Sequence, residues 1–477
     1  MPHPSIQIAP APVAFASGVD VDPGLIARLG KNGPRYTSYP TADRFEADFG
    51  YRDYLHAVAA VRARGTARPL SLYLHIPFCD TVCYYCACNK IVTKNRDKAA
   101  TYLGYLKREI ALQGALFAGI NEVAQLHFGG GTPTYLSDAQ MGELMTHLRR
   151  CFSFAPDAQG EYSIEVDPRT VSAERVHSLR RHGFNRISLG VQDFDPDVQQ
   201  AVNRVQPEAE TRAVIAAARD AGFRSVSIDL IYGLPKQSRD SMAATIARVI
   251  AAGPDRISLY HYAHLPHIFK PQRRILEADM PSSAVKLEML AMCIERLGAA
   301  GYVYIGMDHF AKPGDDLAVA QRQGRLHRNF QGYSTHADSD MVSCGVSAIG
   351  AVGATYSQNA KTLDDYYEAL DNNELPVVRG VALGMDDLLR RTIIQKLMCQ
   401  FELSVRAIEQ AFPVVFATYF AAELALLRAH ARDGLVTVDD AWITVTPRGR
   451  LLVRNLCMVF DRYLAASASA PRYSRTV

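Results

Sequence analysis

The stretch "CDTVCYYCACNK" (residues 79–90) holds four of the nine cysteines in this chain of 477 residues. Their spacing is C-x3-C-x2-C-x-C, and thiolates grouped this closely can ligate zinc, hold an iron–sulfur cluster or form a redox pair. The remaining cysteines stand singly in mostly apolar surroundings and are expected to be small buried side chains. These five are Cys151, Cys293, Cys344, Cys399 and Cys457. The chemistry of the chain is therefore expected to centre on residues 79–90.

The spacing separates the candidate chemistries. A disulfide framework is not expected in a large chain that carries no recognisable signal peptide. A structural zinc site commonly pairs two short cysteine knuckles that lie far apart in sequence, and only one compact group is present here. A redox pair at Cys83 and Cys86 leaves Cys79 without a role. An iron–sulfur cubane held by C-x3-C-x2-C gives a role to all three cysteines as iron ligands. Its fourth iron would then be open to bind another ligand.

Composition limits the class of protein. Hydrophobic residues make up 48% of the chain, charged residues 21%, and the net charge is +3, as expected for a globular protein with a large core. This small charge gives no reason to expect nucleic acid or a membrane surface as a partner. No apolar run approaches the roughly 20 residues needed to span a bilayer, and the Ala- and Pro-rich N-terminus is expected to be a loose leader. We expect a cytoplasmic protein.

Six β-rich runs alternate with helical patterns from residue 71 onward. This order predicts parallel strands joined by right-handed crossovers, in a doubly wound sheet or in a complete or partial barrel. The helical pattern after the first run places Ala99, Tyr102, Leu103, Leu106 and Ile110 on one face. The six runs are "SLYLHIPF" (71–78), "LHFGGG" (126–131), "YSIEVDP" (162–168), "RISLGVQ" (186–192), "VSIDLIYG" (226–233) and "RISLYHY" (256–262).

Polar residues at the ends of these runs favour a barrel. Glu165, Gln192 and Asp229 each lie at or near the C-terminal end of an apolar run, where barrels of this type gather their chemistry. Each alone could be a turn or capping residue. Together with a cysteine loop after the first run and the triplet Gly129–Gly131 after the second, they indicate one shared site in a partial (β/α)6 TIM-like barrel.

The alternation ends near residue 310. The stretches "HRNFQGYST" (327–335) and "CGVSAIGAVGATYSQN" (344–359) predict loops or irregular structure, and helices are expected from about Met385 to His430. A turn, a short hairpin and a helix should follow, in the order of a winged helix, although no dense basic stripe suggests DNA binding. We expect four parts: an N-terminal arm with a substrate-facing segment (1–65), the barrel (66–310), a segment completing the active site (311–380) and a mostly helical, winged-helix-like domain (381–477).

The cysteine spacing resembles the motif of the radical S-adenosylmethionine enzymes. In that superfamily, S-adenosylmethionine chelates the open iron of a [4Fe-4S] cluster, and the reduced cluster cleaves it to a 5′-deoxyadenosyl radical. The run "GGGTPT" (129–134) resembles the superfamily's glycine motif, which holds the amino group of the cofactor. Glycines suit that role because they let backbone groups approach a ligand closely.

The resemblance extends to one family within that superfamily. "GPRYTSYPTA" (33–42), "LHIPFCDTVCYYCACNK" (74–90), "DLIYGLPKQ" (229–237) and "LHRNFQGYSTH" (326–336) resemble the oxygen-independent coproporphyrinogen III oxidases, also called dehydrogenases, from about Pro34 onward. The related haem chaperones, which bind haem, are the alternative. They typically have a residue other than cysteine at the position of Cys88 and lack the "YTSYPTA" segment, so both features favour the oxidase family.

The resemblance implies the site residues. Cys79, Cys83 and Cys86 would ligate the cluster, and Cys88 and Glu165 would take part in catalysis near the cofactor. Two molecules of S-adenosylmethionine are implied. The first would contact Tyr73, Tyr85, Gly129 and Glu165. The second would contact Gly130, Gly131, Gln192, Arg204, Asp229, Ala263 and Ile349, with Thr132 as a looser assignment.

The resemblance also implies the reaction and its partners. Coproporphyrinogen III would lose the carboxyl groups of its ring A and B propionates and become protoporphyrinogen IX, in haem biosynthesis. A reductant protein such as flavodoxin or ferredoxin is implied, and a monomer is expected. Because the substrate carries four carboxylates, cationic and hydroxyl donors are expected around it. The candidates are Arg35, Tyr36, Thr37, Ser38, Tyr39, His327 and Arg328.

Overall fold

A computed structural model describes residues 18–65, 68–119, 122–337 and 339–465. The expected leader lies almost wholly outside these residues. The helices are α1 (Pro23–Leu29), α2 (Tyr51–Ala63), α3 (Asp97–Phe117), α4 (Asp138–Cys151), α5 (Ala173–His182), α6 (Pro196–Ala201), α7 (Glu208–Asp220), α8 (Arg239–Ala252), α9 (Ser283–Ala299), α10 (Asp316–Arg322), α11 (Leu363–Asp371), α12 (Met385–Gln400), α13 (Val405–Ala411), α14 (Phe416–Tyr419), α15 (Ala421–Arg432), α16 (Val453–Val459) and α17 (Arg462–Ala465).

The strands form one large sheet and three small ones. They are β1 (Leu70–Ile76), β2 (Phe78–Cys79), β3 (Ile91–Val92), β4 (Glu122–Gly130), β5 (Ser153–Phe154), β6 (Glu161–Val166), β7 (Arg186–Gln192), β8 (Ser225–Tyr232), β9 (Arg256–His261), β10 (Val303–Gly306), β11 (His309–Ala311), β12 (His327–Asn329), β13 (Gly332–Ser334), β14 (Asp340–Cys344), β15 (Ile349–Val352), β16 (Thr355–Asn359), β17 (Val377–Ala382), β18 (Glu402–Ser404), β19 (Val436–Val438) and β20 (Trp442–Val445).

The large sheet confirms the predicted fold class. Its order is β10-β11-β9-β8-β7-β6-β4-β1-β14-β15-β16-β17, with β5 beside β4. Neighbours from β1 through β4, β6, β7 and β8 to β9 pair in parallel, as the six β-rich runs predict. The sheet continues past β1 and β9 and does not close on itself, so the barrel is partial.

The crossover helices follow their sequence patterns. The predicted face of α3 is buried at Ala99, Tyr102, Leu103, Leu106 and Ile110, since these residues recur at three- and four-residue intervals. The start of α4 is fixed by a capping box, in which the Ser137 side chain accepts from the Gln140 N–H and the Gln140 side chain accepts from the Ser137 N–H. Helices anchored in this way leave the C-terminal ends of the strands facing one cavity.

The expectation of loops beyond residue 310 is wrong. β12 and β13 form a hairpin, β14 pairs in parallel with β1, and β15 to β17 extend the large sheet by antiparallel pairing. Glycines hid these strands, because Gly345, Gly350 and Gly353 interrupt the alternation of apolar and polar residues. Gly350 lies within β15, where an added Cβ would meet the Met341 carbonyl oxygen at 3.0 Å.

The C-terminal region has the expected helices and hairpin. Helices α12 to α15 precede β19 and β20, and α16 follows them. β18 adds a third strand, giving the antiparallel order β18-β20-β19. The region also holds the N-terminal segment, because the buried Tyr36 hydroxyl donates to Asp461 Oδ2 at 3.0 Å. The proposed boundaries of the four parts stay a prediction.

Candidate active site

A cavity of about 300 Å³ opens at the C-terminal ends of the parallel strands. It brings together most of the residues that the sequence singled out, although they span 150 positions of the chain. These are Cys79, Cys83, Tyr85, Cys86, Cys88, Gly130, Gly131, Thr132, Glu165, Gln192, Arg204 and Asp229. The position is the one expected for a barrel of this type, where loops and strand ends build the site.

The cysteine loop is fastened at both of its ends and along its length. β2 and β3 pair in parallel, which joins Phe78–Cys79 to Ile91–Val92. Within the loop, the Tyr84 N–H donates to the Val202 carbonyl at 3.0 Å. None of the nine cysteines is in a disulfide, so the thiols of the loop are available as ligands.

The chemistry of the cavity fits a thiolate-bound cluster. Arg204 Nη1 lies 3.5 Å from Cys83 Sγ, and the Thr132 hydroxyl donates to Cys79 Sγ at 3.5 Å. Burial raises the pKa of Cys79 to about 11, and the Thr132 hydroxyl opposes that rise because a donor to sulfur favours the thiolate form that ligates iron. In the described parts of the chain, no three His, Cys, Asp or Glu side chains are placed to hold a single metal ion. A cluster does not require that convergence, because each thiolate binds a different iron.

Cys88 lies beside Cys86. The Cys88 thiol hydrogen-bonds the Cys86 sulfur, which lowers the pKa of Cys86 to about 6 and raises the pKa of Cys88. Lys90 Nζ also donates to the Cys86 carbonyl at 3.0 Å. Cys88 therefore faces the cavity in contact with a predicted ligand, and its catalytic role stays a prediction.

The glycine triplet has no room for side chains. A Cβ on Gly130 would lie 2.7 Å from the His75 ring, and φ there is +112°. A Cβ on Gly131 would lie 2.7 Å from the backbone of Pro77, and one on Gly129 would lie 3.0 Å from Glu165 Oε1. Close packing against protein groups therefore favours glycine at all three positions, and their contacts with the cofactor stay a prediction.

Glu165 is held by two donors. His127 Nε2 is 3.0 Å from Glu165 Oε1, and the Gly130 N–H donates to Oε2 at 3.3 Å. Burial raises the pKa of this carboxyl, but His127 and the Gly130 N–H together hold it below its ordinary value. The Tyr73 ring stacks on His127, with centroids 5.9 Å apart. Tyr73, a predicted cofactor residue, therefore contacts the imidazole that hydrogen-bonds Glu165. Glu165 is an ionised acceptor at neutral pH.

The opposite wall is cationic. Asp167 accepts from Arg204 Nη1 at 3.0 Å and from Arg169 Nη2 at 2.6 Å, and Arg204 also donates to the Gly190 carbonyl. The sequence analysis included Asp167 in the third β-rich run but gave neither Asp167 nor Arg169 a role, since neither spacing nor residue type marks a shared ion pair. Beside them Gln192 has φ +69°, at an irregularity in the pairing of β7 with β8.

Asp229 completes this wall. The Ser188 hydroxyl donates to Asp229 Oδ2 at 3.1 Å. Burial and the nearby charge of Glu165 raise the pKa of Asp229 to about 6. Ser188 and Tyr260 also line the cavity, and both were missed because serine and tyrosine in an apolar strand carry no sequence signal of their own.

Two further residues predicted to bind the cofactor, Ala263 and Ile349, are not among those that line the cavity. Gln272 Nε2 donates to the Ala263 carbonyl at 3.2 Å and to the Tyr85 carbonyl at 3.0 Å. Ala263 is thereby joined to the cysteine loop. Ile349 begins β15 and packs in an apolar cluster with Phe45 and Tyr356. The roles of Ala263 and Ile349 stay predictions.

The predicted substrate residues lie outside this lining. Tyr36 and Tyr39 are each 1% exposed, and the Tyr39 hydroxyl accepts from the Arg462 N–H. Thr37, His327 and Arg328 line a second cavity of about 310 Å³. Arg35 lies nearer to the first cavity, since its guanidinium is 5.9 Å from the ring centroid of Tyr260. The substrate role of each stays a prediction.

Comparison with known proteins defines the class first. The sequence pattern of the Radical SAM superfamily matches residues 73–249, and that of the HemN C-terminal domain matches residues 384–452. Together with the partial barrel and the three-cysteine cavity, this makes the chain a radical S-adenosylmethionine enzyme. The superfamily implies a [4Fe-4S] cluster and S-adenosylmethionine as cofactors.

Its curated relatives define the family. The oxygen-independent coproporphyrinogen III oxidase of Pseudomonas aeruginosa is 52% identical over 96% of this chain and 98% of its own length. The protein of the same name from Escherichia coli is 52% identical over 96% of this chain and 99% of its own. The solved E. coli structure matches with a TM-score of 0.89, covering 94% of this chain and 100% of that one. The chain belongs to the family of oxygen-independent coproporphyrinogen III oxidases.

No helix in the described parts of the chain is both long enough and apolar enough to cross a bilayer.

Proposed function

We propose that the protein converts coproporphyrinogen III to protoporphyrinogen IX without oxygen, by oxidative decarboxylation of the ring A and B propionates to vinyl groups. The observation that carries this proposal is the cavity that the three cysteines, Gly130, Gly131 and Glu165 line together. The family membership supports the same substrate and a place in haem biosynthesis.

When bound, the reduced cluster and S-adenosylmethionine would supply a 5′-deoxyadenosyl radical that takes a hydrogen atom from a propionate β-carbon. Loss of CO2 and of one electron to an acceptor would then leave the vinyl group. No side-chain base can remove so inert a hydrogen as a proton, so the protein contributes binding and orientation.

The residues of the cavity would divide this work. Cys79, Cys83 and Cys86 would hold the cluster, since their thiols share one wall of the cavity with cationic and hydroxyl donors. Glu165 would accept hydrogen bonds from hydroxyl groups of the cofactor, because its ionised form is favoured. The glycine backbone would approach the cofactor closely.

We also propose that two molecules of S-adenosylmethionine bind together. The support is that residues predicted for both molecules, among them Glu165, Gln192 and Asp229, line one cavity. Tyr73, Gly129 and Glu165 come from the neighbouring strands β1, β4 and β6, whereas Gln192 and Asp229 come from β7 and β8. A reductant such as flavodoxin or ferredoxin, a monomeric state and a cytoplasmic location are further predictions.

The test is an anaerobic assay of the reconstituted protein with reductant, S-adenosylmethionine and coproporphyrinogen III. The expected product, identified by mass, has two vinyl groups in place of two propionates. Tight haem binding without such a product would instead assign the chain to the haem chaperones and overturn the proposal.

A further inference from the structure

A short segment of the chain, residues 265–276, packs against the cysteine loop. Gln272 is 1% exposed, and its Nε2 donates to the Tyr85 carbonyl at 3.0 Å. The Arg274 guanidinium lies over the Tyr84 ring, 5.3 Å from the ring centroid. The segment is therefore joined directly to the two residues that stand between the second and third predicted cluster ligands.

The solvent-facing side of this segment carries apolar and cationic side chains together. Ile268 and Leu276 are 58% and 67% exposed, although large aliphatic side chains are most often buried. Between them in the chain, Lys270, Arg273 and Arg274 are exposed as well. We call these five residues the outer patch.

The outer patch has a net positive charge. In the described parts of the chain, its three cations form no ion pair with a carboxylate. The acidic residues that follow the patch in sequence lie beside other groups, since Asp279 pairs with Lys236 at 2.8 Å and Glu277 lies 3.8 Å from His264 Nε2. Exposed cations that are mixed with apolar side chains are typical of a surface that receives an acidic protein.

The size of the cofactor cavity shows why an electron donor needs an outer surface. The cavity has a volume of about 300 Å³, which admits small molecules but not a protein. An electron delivered by a protein therefore has to cross the wall of the cavity. Because electron transfer slows steeply with distance, the donor has to dock where the wall is exposed and is joined to the cysteine loop. The outer patch meets both conditions through Gln272 and Arg274.

We propose that the outer patch is the docking surface for an acidic one-electron carrier protein that reduces the cluster. The inference rests on the proposed function, which requires a reduced cluster. One electron passes from the reduced carrier to the oxidised cluster, and no atom is exchanged. The cations steer the negatively charged carrier toward the cysteine loop, and Ile268 and Leu276 supply the apolar contact. A small interface suits a carrier that binds and leaves in every turnover.

The first measurement is the affinity of the reconstituted enzyme for a flavodoxin of net negative charge, by isothermal titration under anaerobic conditions. The wild type should bind more weakly at about 300 mM salt than at about 50 mM, because salt screens exposed charges. The double variant Lys270→Glu/Arg273→Glu should raise Kd at least about tenfold at low salt and lose most of the salt dependence. Leu276→Ser should raise Kd about threefold or more at either salt concentration, since it removes apolar contact.

The second measurement is the rate of cluster reduction, followed by the loss of visible absorbance after rapid mixing. With reduced flavodoxin below saturation, Lys270→Glu/Arg273→Glu should slow reduction at least about tenfold, in line with its weaker binding. With dithionite, a small reductant that needs no docking surface, this variant should be reduced at the wild-type rate. Equal slowing with both reductants would mean that the substitutions damage the cluster site and would overturn the proposal.

The matched controls lie elsewhere on the surface. Arg181 is exposed in the last turn of α5, and Leu426 on α15 is 56% exposed. Arg181→Glu and Leu426→Ser should leave both the affinity for flavodoxin and the rate of reduction unchanged. A second copy of the chain is the other possible occupant of the outer patch. A wild-type dimer that Leu276→Ser converts to a monomer, with unchanged affinity for flavodoxin, would overturn the proposal.

The docking surface and the proposed function can fail separately. Unchanged flavodoxin affinity and cluster reduction in Lys270→Glu/Arg273→Glu, in an enzyme that still makes the vinyl product, would overturn the docking surface alone. A wild-type enzyme whose reduction by flavodoxin depends on the outer patch, but which makes no vinyl product from coproporphyrinogen III, would overturn the proposed function and support the docking surface.

Discussion

His127 and Glu165 face each other across two adjacent parallel strands, with His127 Nε2 3.0 Å from Glu165 Oε1. The His127 imidazole orients the Glu165 carboxylate, which is predicted to contact S-adenosylmethionine. Replacing it with phenylalanine keeps the ring that stacks on Tyr73 but removes the hydrogen bond. We expect His127→Phe to weaken S-adenosylmethionine binding about tenfold, from the loss of one charge-assisted hydrogen bond.

Isothermal titration under anaerobic conditions measures that affinity. The control is His56→Phe on the exposed face of α2, which should bind the cofactor as the wild type does. If Glu165→Gln weakens binding and His127→Phe does not, His127 is not what positions the carboxylate.

The glycine motif gives a second prediction. A Cβ on Gly131 would lie 2.7 Å from the backbone of Pro77, which cannot move aside as a flexible side chain can. Gly131→Ala should therefore cost about 1–3 kcal/mol of stability and abolish cofactor binding. Gly104→Ala is the control, because a Cβ there meets nothing within 4 Å and the site is exposed in the middle of α3. It should stabilise the protein by up to about 1 kcal/mol.

Thermal unfolding and cofactor titration of both alanine variants provide the measurement. Normal cofactor affinity in Gly131→Ala would show that the backbone at this position does not approach the ligand.

The fourth cysteine gives a third prediction. Cys88 touches Cys86 but lies outside the three-cysteine spacing, so Cys88→Ser should retain the iron and sulfide of the wild type. We expect turnover to fall at least about 100-fold, the scale of a lost proton-transfer or positioning group. Cys83→Ser is the contrast, since it should lose iron. Loss of iron in Cys88→Ser would make Cys88 a ligand instead.

The alternation of apolar runs and helices predicted the six parallel strands, because buried strands leave a clear pattern in sequence. The same reasoning placed Glu165, Gln192 and Asp229 at one edge of the sheet. It could not pair His127 with Glu165, because cross-strand neighbours depend on register, which sequence does not reveal.

Two further features of the fold and the site could not be predicted from the sequence. The strands after residue 340 were hidden by glycines that the close packing of the sheet requires, as at Gly350. The shared ion pairs of Asp167 with Arg169 and Arg204 join positions up to 37 residues apart, and only the folded chain brings them together.

Asp229 gives a prediction on pH. Its pKa is raised to about 6 by burial and by the charge of Glu165. If the cofactor binds the ionised carboxylate, affinity for S-adenosylmethionine is full above this value and falls as the pH drops through about 6. Asp229→Asn should bind more weakly above pH 7 and lose this pH dependence. Titrations between pH 5 and 8 give the two profiles, and identical slopes would exclude Asp229 as the titrating group.

Tyr36 joins the N-terminal segment to the C-terminal region. Its hydroxyl donates to Asp461 Oδ2 at 3.0 Å, and both residues are buried. Burial raises the pKa of Asp461, and the Tyr36 hydroxyl is one of the donors that oppose this effect. Tyr36→Phe should therefore cost about 1–3 kcal/mol, since a buried carboxylate loses a donor.

The matched control is Tyr419→Phe, because the Tyr419 hydroxyl donates to Asp386 Oδ1 at 2.8 Å from a side chain that is 44% exposed. Water replaces that hydrogen bond, so its loss should change stability by less than about 0.5 kcal/mol. Thermal unfolding at one fixed scan rate compares the two variants. Equal shifts in melting temperature would mean that the contact between Tyr36 and Asp461 does not hold the N-terminal segment in place.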